Sequence, residues 1–168
     1  MYKKEENNMP NHTINNVDIA VNTGEEKELL ALAELKNKLN ISENQFDFEG
    51  IIPSPKWEQI PNEDGELPTL DKSSSFEVWR WKDGSQDDRW YYWNKDHWDT
   101  KWNSYDVEVD ANFDDELTVQ FLTAWSAPIK IFEKVREYCE ENNLALNWEV
   151  SYEDDNYETF YDLMKEVA

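Results

Sequence analysis

Acid–base, nucleophilic or metal chemistry in this chain would have to be built from two histidines, one cysteine and several short runs of carboxylates. His97 stands beside Asp99 and Lys101, a combination able to move a proton. Its setting in a tryptophan-rich stretch instead predicts a ring packed among indoles or exposed on a loop. Cys139 falls on the apolar stripe of a predicted helix, where a buried, inert thiol is expected. Asp106-x-Glu108-x-Asp110 has the spacing of the first ligands of an EF-hand loop. The sixth position is Ala111 rather than glycine, the twelfth is Leu117 rather than glutamate, and Val107 and Val109 mark a strand. Asp83-Gly-Ser-Gln-Asp-Asp88 is a second, weaker calcium pattern. Four glycines, at 24, 50, 65 and 84, cannot build a phosphate-cradling or dinucleotide loop, and one cysteine cannot make a zinc site. No catalytic residue, metal or cofactor is therefore expected.

The carboxylates are informative as a surface. The 168 residues carry 38 acidic and 16 basic side chains, a net charge of −22. Such a surface repels nucleic-acid phosphates and anionic lipid, so direct binding to either is excluded. Charge on this scale usually signals disorder, yet 9 Trp, 8 Tyr and 7 Phe supply the apolar surface of a folded domain. The apolar runs are far shorter than the roughly 20 residues that span a bilayer. No apolar segment follows Lys3 and Lys4, so no signal peptide is expected, and the lone cysteine suits a reducing cytosol.

The elements that must position these residues follow from periodicity. Residues 1–12 read as a flexible tail. Thr13 to Val21 alternates as a strand, and Glu25 to Leu39 places Leu29, Leu32, Leu35 and Leu39 at helical spacing with acids in the first turn. Phe46 to Pro55 suits a short extended piece. Residues 56–103, with seven of the nine tryptophans and only weak periodicity, read as a long ordered insertion with a hairpin near Asp83-Gly84. Ser104–Asp110 and Leu117–Thr123 alternate as a hairpin around Asn112–Glu116. Ser126 is the expected N-cap, with Pro128 in the first turn, of a helix with Ile129, Phe132, Val135 and Cys139 inward. Leu144 to Tyr152 alternates as the last strand, and residues 154–168 form an acidic extension with a short helical pattern. The order β-α-insertion-β-β-α-β over 13–153 predicts an α+β fold: one ferredoxin-like split β-α-β antiparallel sheet with two helices on one face.

Several segments are similar to known ones. Trp90-Tyr-Tyr-Trp-Asn-Lys-Asp-His-Trp-Asp-Thr-Lys-Trp-Asn-Ser-Tyr-Asp106 resembles the W-Y-x-W-x-x-x-x-W-G-T-K-W-x-x-x-D stretch of the YubB-type ferredoxin-like family of phage and plasmid proteins. Met9-Pro10-Asn11, Phe46-Asp-Phe-Glu-Gly-Ile-Ile-Pro53 and Phe121-Leu-Thr-Ala-Trp-Ser-Ala-Pro128 resemble its other segments. Asp99 stands where that pattern has glycine, and His12 where it has tryptophan. The resemblance implies the same fold and a mobile-element origin; it brings no activity and no catalytic residues.

In such a sheet the second and fourth strands are edges and one face is free of helices. The expected partner-binding surface is that face and its tips: Asp106, Glu108, Asp110, Asp114, Asp115, Glu116, Glu149, Glu153, Asp154 and Asp155. Carboxylates two apart on a strand stand roughly 7 Å apart, of the order of neighbouring phosphates. The expectation is a non-enzymatic, cytoplasmic phage or mobile-element protein that mimics nucleic acid. It would occupy the basic surface of a host nucleic-acid-binding or defence protein, as in anti-CRISPR or anti-restriction inhibition. The alternative is a small-molecule or carbohydrate-binding module stacking its ligand on Trp90, Trp93, Trp98 and Trp102.

Overall fold

The computed structural model describes residues 11–152. The tail before Asn11 and the extension after Tyr152, with Glu153, Asp154 and Asp155, lie outside the described residues. Strand β1 (His12–Val21) runs through the centre of a four-stranded antiparallel sheet. Helix α1 (Glu26–Lys38) follows, with Glu26 and Glu28 in its first turn and Lys36 and Lys38 in its last, each complementing the helix dipole. After the insertion come β4 (Tyr105–Phe113), β5 (Glu116–Ala124), a helix (Ile129–Glu141) and β6 (Leu144–Tyr152). The sheet order β4-β5-β1-β6, antiparallel throughout, is the ferredoxin-like arrangement. The fold is α+β as the alternation requires, with β4 and β6 at the edges.

One face of the sheet is buried. Val17 and Ile19 of β1, Leu117, Val119 and Phe121 of β5, and Trp148 and Val150 of β6 meet Leu32 and Leu35 of α1 and Ile131, Phe132, Val135 and Cys139 of the later helix. Phe46 stacks on Phe121 at 4.4 Å, and Trp148 meets Phe46, Phe121 and Phe132 edge-on at 5.4–5.9 Å. The Trp148 indole N–H, buried with its ring, donates to Asn15 Oδ1 at 3.1 Å, and Asn15 Nδ2 donates to Thr123 Oγ1. Burial pushes the Cys139 thiol up to about 12, which removes it as a nucleophile. Phe46 to Pro55 is not extended: a 3-10 turn at Phe48–Gly50 lets Phe46 and Phe48 both reach the core.

The segment 56–103 contains more regular structure than its weak periodicity suggests. Strands β2 (Thr69–Asp71) and β3 (Val78–Arg80) pair as a small second sheet, and α2 (Arg89–His97) is a nine-residue helix. We number the helix at Ile129–Glu141 α3. Around Asp83-Gly84 the chain reverses as expected: Arg80 and Gln86 form an antiparallel bridge, and the Trp81 and Asp87 N–H groups donate to the Ser85 and Trp79 carbonyls at 2.8 Å. The anchor of the segment is Arg89. Its guanidinium lies 4.9 Å from each of the Trp57 and Trp81 ring centres, pairs with Asp87 at 2.8 Å, and donates to the Trp57 and Ile60 carbonyls. Half-buried rings are thus held by a cation rather than by an apolar core.

Glu28 shows how a carboxylate is put to structural use. It is buried, and Oε1 accepts the Asn22 and Thr23 N–H groups at 2.8 and 2.9 Å. Oε2 accepts the Thr23 hydroxyl and, at 3.3 Å, Asn143 Nδ2. One side chain therefore ties the β1–α1 loop to the α3–β6 turn. The Thr23 hydroxyl bond is the largest cause holding its pKa at about 2, against 4.5 for an ordinary glutamate. A depressed carboxylate contributes stability above its ordinary pKa and loses it as pH falls through the folded value. The melting temperature of Glu28→Gln should therefore lie well below wild type above pH 4.5, with the gap narrowing toward pH 2. A gap constant across that range in thermal melts would show that the charge of Glu28 is not what holds the loops.

Candidate functional site

Both helices pack on one face of the sheet, so the other face is open. Antiparallel register places Glu108, Gln120, Asn16 and Glu149 in one row across it, from edge to edge. At the usual strand spacing the two carboxylates are roughly 14 Å apart, with two amide side chains between them. The next row contains Asp18, Thr118 and Asn147, and the Thr118 hydroxyl donates to Asp18 at 3.2 Å. Asp106, Glu108, Asp110 and Glu149 are exposed, and among the described residues none of them or Asp18 forms an ion pair with a basic side chain.

The β4 carboxylates do not form a regular row. Register shifts lie between Tyr105 and Glu108 and between Val109 and Ala111, each inserting an extra residue into β4. The first puts Tyr105 on the open face opposite Leu122, and Asp106 takes a left-handed conformation, φ 48°. The second leaves Asp110 in a bulge beside Ala111. The uniform two-residue, roughly 7 Å repeat expected for Asp106, Glu108 and Asp110 is therefore replaced by three separately aimed carboxylates. Asp114 and Asp115 form the exposed β4–β5 turn, and Glu116 opens β5 with its Oε1 also 3.2 Å from the Thr118 hydroxyl, sharing that single donor with Asp18. They extend the acidic surface along one end of the sheet rather than across it.

The opposite end of the open face is aromatic, and nothing in the residue pattern announced it. His12 Nδ1 hydrogen-bonds the Tyr105 hydroxyl, and Trp102 meets the Tyr105 ring edge-on at 6.5 Å. Trp125, just beyond β5, is 45% exposed and has φ 70°, a strained conformation for a bulky residue. Asp18 on the central strand is a further open-face carboxylate outside the expected set.

The four-tryptophan platform is not formed. Trp98 is 4% exposed and donates to the Ile52 carbonyl from inside the core. Trp93 is covered on one face by His97, stacked at 4.3 Å, and Trp90 lies against Tyr91. Of the four, Trp102 alone is open to solvent. Only Trp90 and Trp93 lie on α2, and with Trp98 in the core and Trp102 beyond the helix the four rings share no open binding surface. His97 is exposed, with Nδ1 at 2.9 Å from the Trp93 carbonyl.

The second calcium pattern, at residues 83–88, is consumed locally. Asp83 accepts from Ser85, Asp87 pairs with Arg89, and no group of three metal-ligating side chains occurs among the described residues. Asp99 explains its own position: with φ 63° it occupies the left-handed region that glycine would favour, and its carboxylate accepts the Lys130 N–H at 3.0 Å. Asp99, not Ser126, therefore supplies the side-chain cap of α3. The Ser126 hydroxyl is turned to the Asp99 carbonyl.

Two clefts lie elsewhere. One of about 500 Å³ runs between α1 and the β4–β5 hairpin, lined by Leu29, Leu30, Lys36, Ile41 and Phe113. Another of about 520 Å³ is lined by Ile52, Pro53, His97, Lys130 and Lys134. Neither combines a nucleophile with a positioned base, and the open face itself is a surface, suited to a macromolecule rather than an enclosed substrate.

No helix among the described residues is long and apolar enough to cross a membrane. No curated protein and no solved structure matches the chain. Residues 97–160 do match a family model described as the ferredoxin-like domain in Api92-like protein. The match takes in β4, β5, α3 and β6, while β1 and α1, which complete the sheet and its cover, come from the chain before it. Sequence match and strand order agree on the architecture: over residues 97–160 this chain is similar to that ferredoxin-like domain.

Proposed function

We propose that this is a non-enzymatic binding protein whose open sheet face docks on the positively charged nucleic-acid-binding surface of a host protein, in the place of phosphates. The observation that carries this reading is the uncovered face itself. Glu108 and Glu149 at its two edges and Asp18 in its centre flank the hydrogen-bonding amides Asn16 and Gln120, and no described cation neutralises them. A net charge of −22 exceeds the magnitude of about 2–8 that serves solubility in a small domain. It also accelerates encounter with a basic partner. The resemblance to YubB-type phage and plasmid proteins supports a mobile-element setting in the bacterial cytoplasm. There, occupying the nucleic-acid site of a restriction, CRISPR or other defence protein would inhibit it.

The test is affinity capture from bacterial lysate with the full chain, eluted by a salt step and identified by mass spectrometry. A nucleic-acid-binding protein retained at low salt, released as the Debye length contracts and displaced by duplex DNA is the expected result. Retention that resists both salt and DNA would overturn the mimicry.

A further inference from the structure

The aromatic end of the open face encloses an ammonium group of the chain's own. Lys101 Nζ lies 4.4 Å from the Trp102 ring centre, 4.6 Å from that of Trp125 and 5.9 Å from that of Tyr91. In a chain with 38 carboxylates, this ammonium forms no ion pair with a described one. Three π faces around one cation make an aromatic cage, the arrangement that holds ammonium groups through the ring quadrupoles. Two features separate it from an ordinary core contact. Trp102 and Trp125 are 39% and 45% exposed, the two tryptophans that stand among the exposed large side chains of the described residues. The backbone under Trp125 is held at φ 70°, a conformation that costs a bulky L-residue free energy and persists where the surroundings impose it. On that backbone the Trp125 indole stands open to solvent.

We infer that this cage is a binding site for a cationic side chain, lysine or arginine, of a protein partner, and that Lys101 fills it in the free protein. The inference rests on the partner being basic, as proposed above, and it names the anchor of that interface. The surrounding charge selects the ligand: Tyr105 links the cage to the face carrying Glu108, so a cation approaching the cage crosses an acidic field. The chain also shows elsewhere what its tryptophans do with a guanidinium: Trp57 and Trp81 each lie 4.9 Å from that of Arg89. Exposed tryptophans ringed by polar groups are the residues that dominate interface energetics. The Lys101 side chain is a tethered competitor, reducing the apparent affinity for an incoming cation by the fraction of time the cage is empty.

The test titrates tetramethylammonium against the full chain, following the indole N–H signals of Trp102 and Trp125 by NMR, with 3,3-dimethylbutanol as the neutral control of similar shape. Wild type should respond weakly, and Lys101→Ala should bind the cation about tenfold more tightly. Trp102→Ala should abolish the response. Trp125→Gly should do the same and removes the ring while suiting the left-handed backbone, so loss of fold does not confound it. No response in Lys101→Ala, or an equal response to the neutral control, would make the cage a structural clasp and overturn the inference while leaving the carboxylate face untouched. A cation response in Lys101→Ala alongside failure to capture any basic partner supports the site and sinks the proposed function instead.

Discussion

Replacing Glu108, Asp110 and Glu149 together by lysine is expected to weaken binding to the captured partner by at least about a hundredfold at low salt. Each exposed ion pair lost is worth about 0.5 kcal/mol, and reversal adds repulsion of similar size at each site, about 3 kcal/mol over the three. Three such sites amount to roughly two decades in Kd. The variant should also have a flatter salt dependence, because fewer charges steer the encounter. The positions are chosen from the geometry. Glu108 and Glu149 terminate one row at opposite edges of the sheet, and Asp110 projects from a bulge, so all three changes leave the buried face intact. Asp106 is spared because its φ of 48° would add a backbone cost to the change. Affinity unchanged by this triple reversal, with the circular dichroism spectrum preserved, would remove the open face from the interface.

The largest effect on folding is expected from Trp148→Ala, a loss of about 3–5 kcal/mol. The ring is 1% exposed and meets three phenylalanines from three separate parts of the chain. Alanine leaves a cavity there and deprives Asn15 Oδ1 of its indole donor on the neighbouring central strand. For a domain whose whole stability is of order 5–15 kcal/mol, and whose like charges repel one another, that loss brings the unfolded state into view. Urea denaturation should give a midpoint far below wild type. Trp148→Phe, which refills most of the volume but still leaves Asn15 without its donor, should fall between them. A Trp148→Ala midpoint equal to wild type would mean that the ring is not a keystone of this core.

These two predictions draw on different amounts of sequence information. That Trp148 faces inward and Glu149 outward follows from the alternation of Leu144–Tyr152, since a strand turns every second side chain to one side. That Asp106, Glu108 and Asp110 are not a uniform row could not be read that way. Alternation assumes an unbroken ladder, and the two bulges of β4 exist through pairing with β5. The insertion was opaque for a related reason. Arg89 is unremarkable in a linear reading, yet Trp57, thirty-two residues earlier, and Trp81 both come within 4.9 Å of its guanidinium. Helix α2 escaped notice because it buries polar Asn94 and shows no apolar stripe.

The sequence by itself determined the sheet, its two covering helices and the acidic character of the surface, because these depend on periodicity and composition, which are local or additive. Only the tertiary structure decided how the charge and the rings are distributed. It gathered Trp102 and Trp125 around Lys101, sent Trp98 into the core, and made Asp99 rather than Ser126 the cap of α3. Each of those outcomes depends on residues brought together from distant positions or on a left-handed backbone at a non-glycine residue. Neither leaves a periodic trace in the chain, and both are settled by the free energy of packing the whole.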